Sequence, residues 1–314
     1  MSSPRHSRIL GWPPSRRTGL GVLCLAGVLA LAGCGGESSA TGTGSGPTPS
    51  PSLRSLAPLT SSAPRGPGPT DTGVPAGVVT TPSDGLTITD DNTVIDSLDI
   101  TGCVVVAADD VTIRRSRITC LDAPDQRAVR MDGAHTGLVL EDVEIDGGGR
   151  TDIGVDTSRT VIRRANIHDV NDGVRMGSSV TVEDSWIHSM TRIADLHPDA
   201  IQGISAQHII IRGNTLDPRN RVTGDPANSA IQLGSETGTK LSEDVVIEGN
   251  YLDGGNYALN ISSTINAKDI TVRDNRFGTS SRYGAILTRT DVPIGTGNVS
   301  EPTGVAITPD TRDG

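Results

Sequence analysis

The sequence predicts an all-β chain wound as a parallel solenoid of about eight or nine coils, behind a long unstructured leader. Three observations lead there. Of the 314 residues, 34% are hydrophobic and 2% aromatic, with one Phe, so a helical bundle or doubly wound sheet would lack the Leu, Phe and Met to fill its core. A six-residue pattern recurs every 18 to 36 residues. The 38 Gly and 19 Pro interrupt the chain too often for long helices. The core is therefore expected to be built from Val, Ile and small residues.

The recurring pattern opens on Ile95, Ile113, Leu140, Ile162, Val182, Ile211, Ile247 and Val272 and closes five residues later on another apolar residue, as in Ile162-Arg-Arg-Ala-Asn-Ile167. Successive copies lie about 25 residues apart on average. A second short segment with period-two alternation follows in most copies, as in Gly173-Val-Arg-Met176 and Ala230-Ile-Gln-Leu233. Two strands per copy with no helix between them suit coils stacked about 4.8 Å apart, in which equivalent side chains form columns. Val129, Val155, Val174, Ile201, Ile231, Leu259 and Ile286 make an inward apolar column. Ser185, Asn214, Asn250 and Asn275 fit a polar stack at a bend, where amides can satisfy turn backbone.

The ends differ from this middle. Arg5, Arg8, Arg16 and Arg17 precede an apolar run from about Leu20 to Ala32, too short to span a bilayer and shaped like a secretion signal. Its end, Leu31-Ala32-Gly33-Cys34, resembles the bacterial lipoprotein box, which implies cleavage of residues 1–33 and lipidation of Cys34; an ordinary cleaved signal is the alternative. Residues 34–76, rich in Gly, Ser, Thr and Pro, read as a disordered linker, 77–300 as the β domain and 301–314 as a loose tail. The expected location is the extracellular face of the bacterial cell membrane, with the membrane touched only through the lipid. Losing four arginines takes the formal charge from −10 to −14, which disfavours nucleic acid as a partner. Cys103 and Cys120 remain as an even pair about one repeat apart; a disulfide between adjacent coils is expected in an oxidising compartment, and two buried thiols are the alternative.

The repeat resembles that of right-handed parallel β-helix proteins in the pectate-lyase-like superfamily, over residues 86 to about 300. That resemblance implies the fold and a polysaccharide-directed protein; a monomer is expected. It leaves the chemistry open, because the superfamily holds lyases, hydrolases, epimerases and proteins that only bind. Neither the hydrolase motif of polygalacturonases nor the Arg or Lys base motif of pectate lyases is present.

Candidate site residues follow from the columns. The position after each hexapeptide holds Thr119, Asp146, His168, His188, Asp217, Asp253 and Gly278. Such a column can bind a metal, with His168 and Asp217 as candidates, or tune His188 as a base; a hydrated polar ladder is the alternative reading. The segment His197-Pro-Asp199-Ala-Ile-Gln202 resembles a His-x-Asp-Ala/Gly-Ile-Gln segment of carbohydrate-active β-helix proteins and lies beside two enlarged loops, 189–199 and 217–228. By that resemblance His197 and Asp199 lead the catalytic candidates, with Gln202 beside them; a turn cap and a filled loop are the alternative. Arg130, Asp156, Arg175, Gln202, Gln232 and Asn260 form an outward row suited to sugar hydroxyls and carboxylates. The flanking small residues, Gly154, Gly173 and Ala200 among them, mark either a tight bend or a surface on which a polymer lies close.

Two functions are expected. The first is β-elimination on an acidic glycan: His197 or His188 moves protons, Arg175 and Arg192 bind carboxylate, and Asp199, with Asp217, orients or holds a cation such as Ca2+. Hydrolysis by Asp199 with Asp195 or Asp217 is its chemical variant. The second is a non-catalytic glycan-binding or scaffold protein. The enzymatic reading requires His188, His197 and Asp199 to converge on one cleft.

Overall fold

The computed structural model describes residues 66–121, 127–234 and 238–312; the signal segment and Cys34 lie outside them. The described residues contain strands and turns and no helix. Every strand pairing between coils is parallel. The chain is a parallel β-helix with three ladders. Right-handed winding is the form that right-twisted strands adopt in such crossovers.

The hexapeptide supplies two of the ladders, not one strand. Its first residue stacks in the first ladder, from Ile95 through Ile113, Leu140, Ile162, Val182, Ile211 and Ile247 to Val272. Its last residue stacks in the second, from Ile100 through Ile118, Ile145, Ile167, Ile187, Leu216 and Leu252 to Phe277. A left-handed residue separates the two. The third position of every copy, Ser97, Arg115, Asp142, Arg164, Asp184, Gly213, Gly249 and Asp274, has φ between 47° and 66°. That conformation favours Gly and Asp, and a chain that must adopt it once per coil cannot run straight through the six residues. The two arginines at this corner are held by carboxylates: Arg164 Nε donates to Asp142 (2.7 Å) and Arg115 Nε to Asp96 (2.8 Å).

The next position is the polar stack. Ser185, Asn214, Asn250 and Asn275 are fully buried, and Asn298 extends the column. Each Asn Oδ1 accepts the backbone N–H of the rung before it, as Asn250 does from Asn214 (2.9 Å) and Asn275 from Asn250 (3.0 Å). Each Nδ2 donates to a first-ladder carbonyl: Asn214 to Val182, Asn250 to Ile211, Asn275 to Ile247. The amides thus satisfy backbone groups that the corner removes from the ladders.

The third ladder carries the apolar column Val129, Val155, Val174, Ile201, Ile231, Leu259 and Ile286 in register. Together the three inward columns form one continuous core. The flanking small residues are buried. A Cβ at Gly173 would meet Ile187 Cγ2 at 2.4 Å and Ala200 O at 2.5 Å, so this column is a tight bend and not a platform for polymer. Cys103 and Cys120 are joined across adjacent coils, with Cα atoms 5.0 Å apart.

Both ends of the domain extend past the sequence-based boundaries. Residues 66–76, read as linker, cross the outer face of the second ladder. Gly73 N donates to Arg164 O (2.8 Å), Thr72 and Gly73 are buried, and Gly66 abuts the Thr215 side chain. Small residues and backbone make these contacts, which is why composition reads the segment as a spacer. The tail is not loose either: Asp310–Arg312 pairs with Leu287, Thr288 and Arg289. With Thr81–Ile88 at the start and Val299–Ser300 near the end, rungs are added at both ends where the apolar hexapeptide is absent.

Replacing Asn250 by Ala leaves the Ile211 carbonyl and the Asn214 N–H buried without partners, at about 1–3 kcal/mol each. We expect Asn250→Ala to lower the unfolding free energy by at least about 2 kcal/mol in urea titrations, more than the exposed substitution Lys268→Ala, which loses one surface ion pair.

Candidate active site

Two outward surfaces carry chemistry. On the third ladder, Arg130, Asp156, Arg175, Gln202, Gln232 and Asn260 stand in register on successive coils. Beside them the enlarged loops build the wall of a cleft of about 510 Å3. Arg192 ties the loops together: its guanidinium holds both Asp225 oxygens (2.7 and 3.0 Å) and donates to Leu196 O (2.6 Å). Arg192 is therefore a loop clamp, and its expected role as a carboxylate binder is corrected on that ground.

Asp195, Leu196 and His197 sit exposed at the mouth of this cleft, and Asp199 lies on its floor. Asp199 is fully buried. Its Oδ1 accepts from Asn228 Nδ2 (2.9 Å), while Oδ2 is buried with no hydrogen-bond partner. Burial, reinforced by the neighbouring Asp172 charge, pushes the Asp199 carboxyl well above the ordinary carboxylate range.

Asp172 occupies the equivalent position one coil earlier: Val174 pairs with Ile201, so the residues two before each align. Burial raises it to about 6, against the opposing pull of Arg175. Arg175 Nη2 donates to Asp172 Oδ2 (2.7 Å), and Asp172 Oδ1 accepts from Asn171 Nδ2 (3.1 Å) and the Asp199 N–H (3.2 Å). Asp152 adds a third carboxyl to the cleft, with Oδ1 buried and without a hydrogen-bond partner. Arg175 also donates through Nε to Gln202 Oε1 (3.0 Å). The floor thus holds stacked carboxyls, bordered by the amides of Gln202, Gln232 and Asn260.

Convergence of the sequence candidates is partial. His197, Asp199, Gln202, Gln232 and Arg175 share the cleft. His188 does not line it. It lies on the second ladder in the column Asp146, His168, His188, Asp217, which is in register throughout. The expected three-residue cluster is therefore corrected to His197 and Asp199 with Asp172. Asp217 does not line the cleft either; it stands opposite His188 in the second-ladder column, where Arg219 (2.6 Å) and Arg221 (3.0 Å) hold it.

In that column the His168 and His188 rings stack with centroids 5.3 Å apart, and Trp186 stacks on His188. Burial and the His168 charge hold His188 down at about 4. His168 is half-buried, which opposes its charge, but Glu144 and Asp169 outweigh that and raise it.

Asp172, Asp152 and Asn228 were not singled out in the sequence. The signal for Asp172 was present: Asp172-Gly173-Val174 aligns with Asp199-Ala200-Ile201 once the inward column is set.

No family model matches the sequence, and no curated protein matches it. Among solved structures the chain is similar to the crystal structure of the Dettilon tailspike protein gp208, at 15% identity and a TM-score of 0.39, over 70% of this chain. The match spans about half of that protein, 54% of its length.

The raised carboxyls give a pH signature. A folded-state value above the unfolded one means that the folded chain keeps a proton the unfolded chain loses, so this stability is full below the ordinary carboxylate range and is lost as pH rises through about 6 and beyond. Asp199→Asn removes the penalty. We expect it to melt higher than the parent at about pH 8, with the difference closing toward pH 4, in thermal melts across that range.

Proposed function

We propose that this chain is a polysaccharide-cleaving protein that hydrolyses glycosidic bonds with Asp199 as proton donor and Asp172 as base. One observation carries the reading: two carboxyls stack on consecutive coils at the floor of a polar cleft, and one holds its proton because burial and its neighbour oppose ionisation. Hydrolysis needs that asymmetry, a protonated carboxyl for the leaving oxygen and an ionised one to activate water or attack. Arg175 favours the ionised form of Asp172. Gln202, Gln232 and Asn260 supply donors and acceptors for hydroxyls. Asp199 and Asp172 are both covered, so a glycan must displace part of the cleft wall to reach them.

A second reading, β-elimination with His197 as base and Arg175 on a uronate carboxylate, is favoured by the presence of both in the cleft. It ranks below hydrolysis because Asp152, Asp172 and Asp195 line that cleft against Arg175 and Arg312, which leaves no surplus of positive charge for a polyuronate. A hard cation such as Ca2+ would have to supply it, and Asp152 and Asp199 offer carboxyl oxygens of the right type.

The test is a panel of neutral and acidic glycans incubated with purified protein. New reducing ends without unsaturated sugar support hydrolysis, unsaturated ends support elimination, and no product on any polymer supports binding alone. We expect Asp172→Asn and Asp199→Asn each to lower the rate by about 10²–10⁴-fold while glycan retention is kept. The rate should rise with pH as Asp172 ionises near 6 and fall as Asp199 loses its proton, a bell belonging to the pair.

We further place the protein outside the cytoplasm as a monomer tethered through lipidated Cys34, in keeping with the Cys103–Cys120 bond. Cys34→Ala is expected to abolish labelling by a fatty-acid analogue and to move the protein from the membrane fraction to the medium. Unchanged labelling in that variant would remove Cys34 as the anchor.

A further inference from the structure

The second-ladder surface has a role that the cleft chemistry does not use. We propose that Asp146, His168 and Asp169 bind one divalent transition-metal ion, of the Zn2+ type, on the outer face of this ladder. The proposal stands independently of the hydrolytic reading.

The backbone brings the three together. Asp146 and His168 are register partners on adjacent rungs. Asp169 follows at the ladder exit in a left-handed conformation, φ 53°. One ligand atom from each lies within 4.8 Å of the others, and this is the one such group among the described residues. His168 Nδ1 is 2.8 Å from Asp169 Oδ2 and 3.9 Å from Asp146 Oδ1. A tetrahedral ion with bonds of about 2.0–2.1 Å spaces its ligands about 3.3 Å apart, between those two values.

A second observation points the same way. The other ring nitrogen, Nε2, faces Glu144 Oε1 at 3.6 Å, and Arg117 Nη2 holds Glu144 Oε2 at 3.0 Å. In the metal-free chain Nδ1–H donates to Asp169 Oδ2; the ion would displace that proton, and the one left on Nε2 faces the Glu144 carboxylate, as in carboxylate–histidine–metal sites. Asp146 Oδ1 is positioned by the Gly148 N–H (2.7 Å). His188 walls the site and does not ligate, since Ser189 Oγ (2.8 Å) and Asn166 Oδ1 (3.0 Å) occupy its two nitrogens. Asp217 is held by Arg219 and Arg221, which removes it as a ligand.

One imidazole and two carboxylates suit Zn2+, Fe2+ or Co2+ better than Ca2+, which takes six to eight oxygens. Three protein ligands also leave a position for water or a substrate oxygen.

The experiment uses the purified chain after chelation, titrated with Co2+ while its visible d–d bands are followed, and with Zn2+ while the melting temperature is followed. We expect one ion per chain, a rise in melting temperature with Zn2+ and none with Ca2+. Asp169→Asn, at a half-exposed position that leaves the core intact, and His168→Gln should each weaken binding by about 100-fold, and Glu144→Gln by about 10-fold. His208→Ala, at an exposed His–Asp pair elsewhere, should leave it unchanged. Absence of Co2+ bands and of a Zn2+ shift overturns the site, as does binding that persists unchanged in Asp169→Asn and His168→Gln.

Discussion

Each coil must turn the same corner at the same residue, and most of the structure depends on that requirement. The left-handed third position of the hexapeptide bends the chain between the first and second ladders on every coil that carries it. The bend takes backbone groups away from the ladders inside a region that water does not reach. Such groups cost about 1–3 kcal/mol each when unpaired, which is comparable to what one buried aliphatic side chain gains. The Asn column resolves the conflict on the C-terminal coils, because one amide both donates to a carbonyl and accepts an N–H. Ser116 and Ser185 do part of the same work nearer the N-terminus, each hydroxyl accepting a backbone N–H, from Leu98 and Ala165 respectively (3.0 Å each). Only with the corner satisfied can the three inward columns close on one another.

That corner also sets the functional surfaces. Parallel stacking without slippage makes equivalent positions neighbours, so a residue type repeated on consecutive coils becomes a cluster in space. Asp172 and Asp199 are brought together in this way, and so are Asp146 and His168. The energetic sense of the two clusters differs. At Asp146 and His168 the neighbours are of opposite charge and partly exposed. At Asp172 and Asp199 like groups are stacked and buried, and one oxygen has no partner. Burying a carboxyl this way is unfavourable unless it keeps its proton, so the fold carries the cost as a shifted ionisation and a weakened alkaline stability.

The sequence made the core legible and the corner illegible. The hexapeptide starts, the third-ladder column and the Asn stack are all found in register, because apolar side chains recur at fixed offsets and nothing else satisfies both periods. The split of the hexapeptide into two strands was not legible, since Arg115 and Arg164 occupy left-handed positions where composition suggests extended chain. The ends were misread for a related reason. Residues 66–76 and 310–312 are held by backbone pairing and close fit of small groups, which leave no hydrophobic trace. At the site, His197 and Asp199 came from a local motif, whereas Asp172 needed the alignment of two coils. His188 stands on a different surface from His197, and a column in the sequence shows neighbours along the axis, not which of three faces they share.

The division of the outer surface follows from the same geometry. The third ladder is flanked by the loops that lengthen between 189 and 228, and those loops are braced against each other by the Arg192–Asp225 pair. A bidentate pair between loops limits their independent motion, and the same guanidinium holds Leu196 O, so the stretch Asp195 to His197 at the cleft mouth is braced as well. The second ladder is crossed by residues 66–76, which press on Asn166 and Thr215 beside the His168–His188 column. One face is therefore built to admit a ligand into a cleft, and the other to hold side chains rigidly at the rim of a covered sheet. A polymer needs the first kind of surface, whereas a single ion held by fixed ligands is better served by the second.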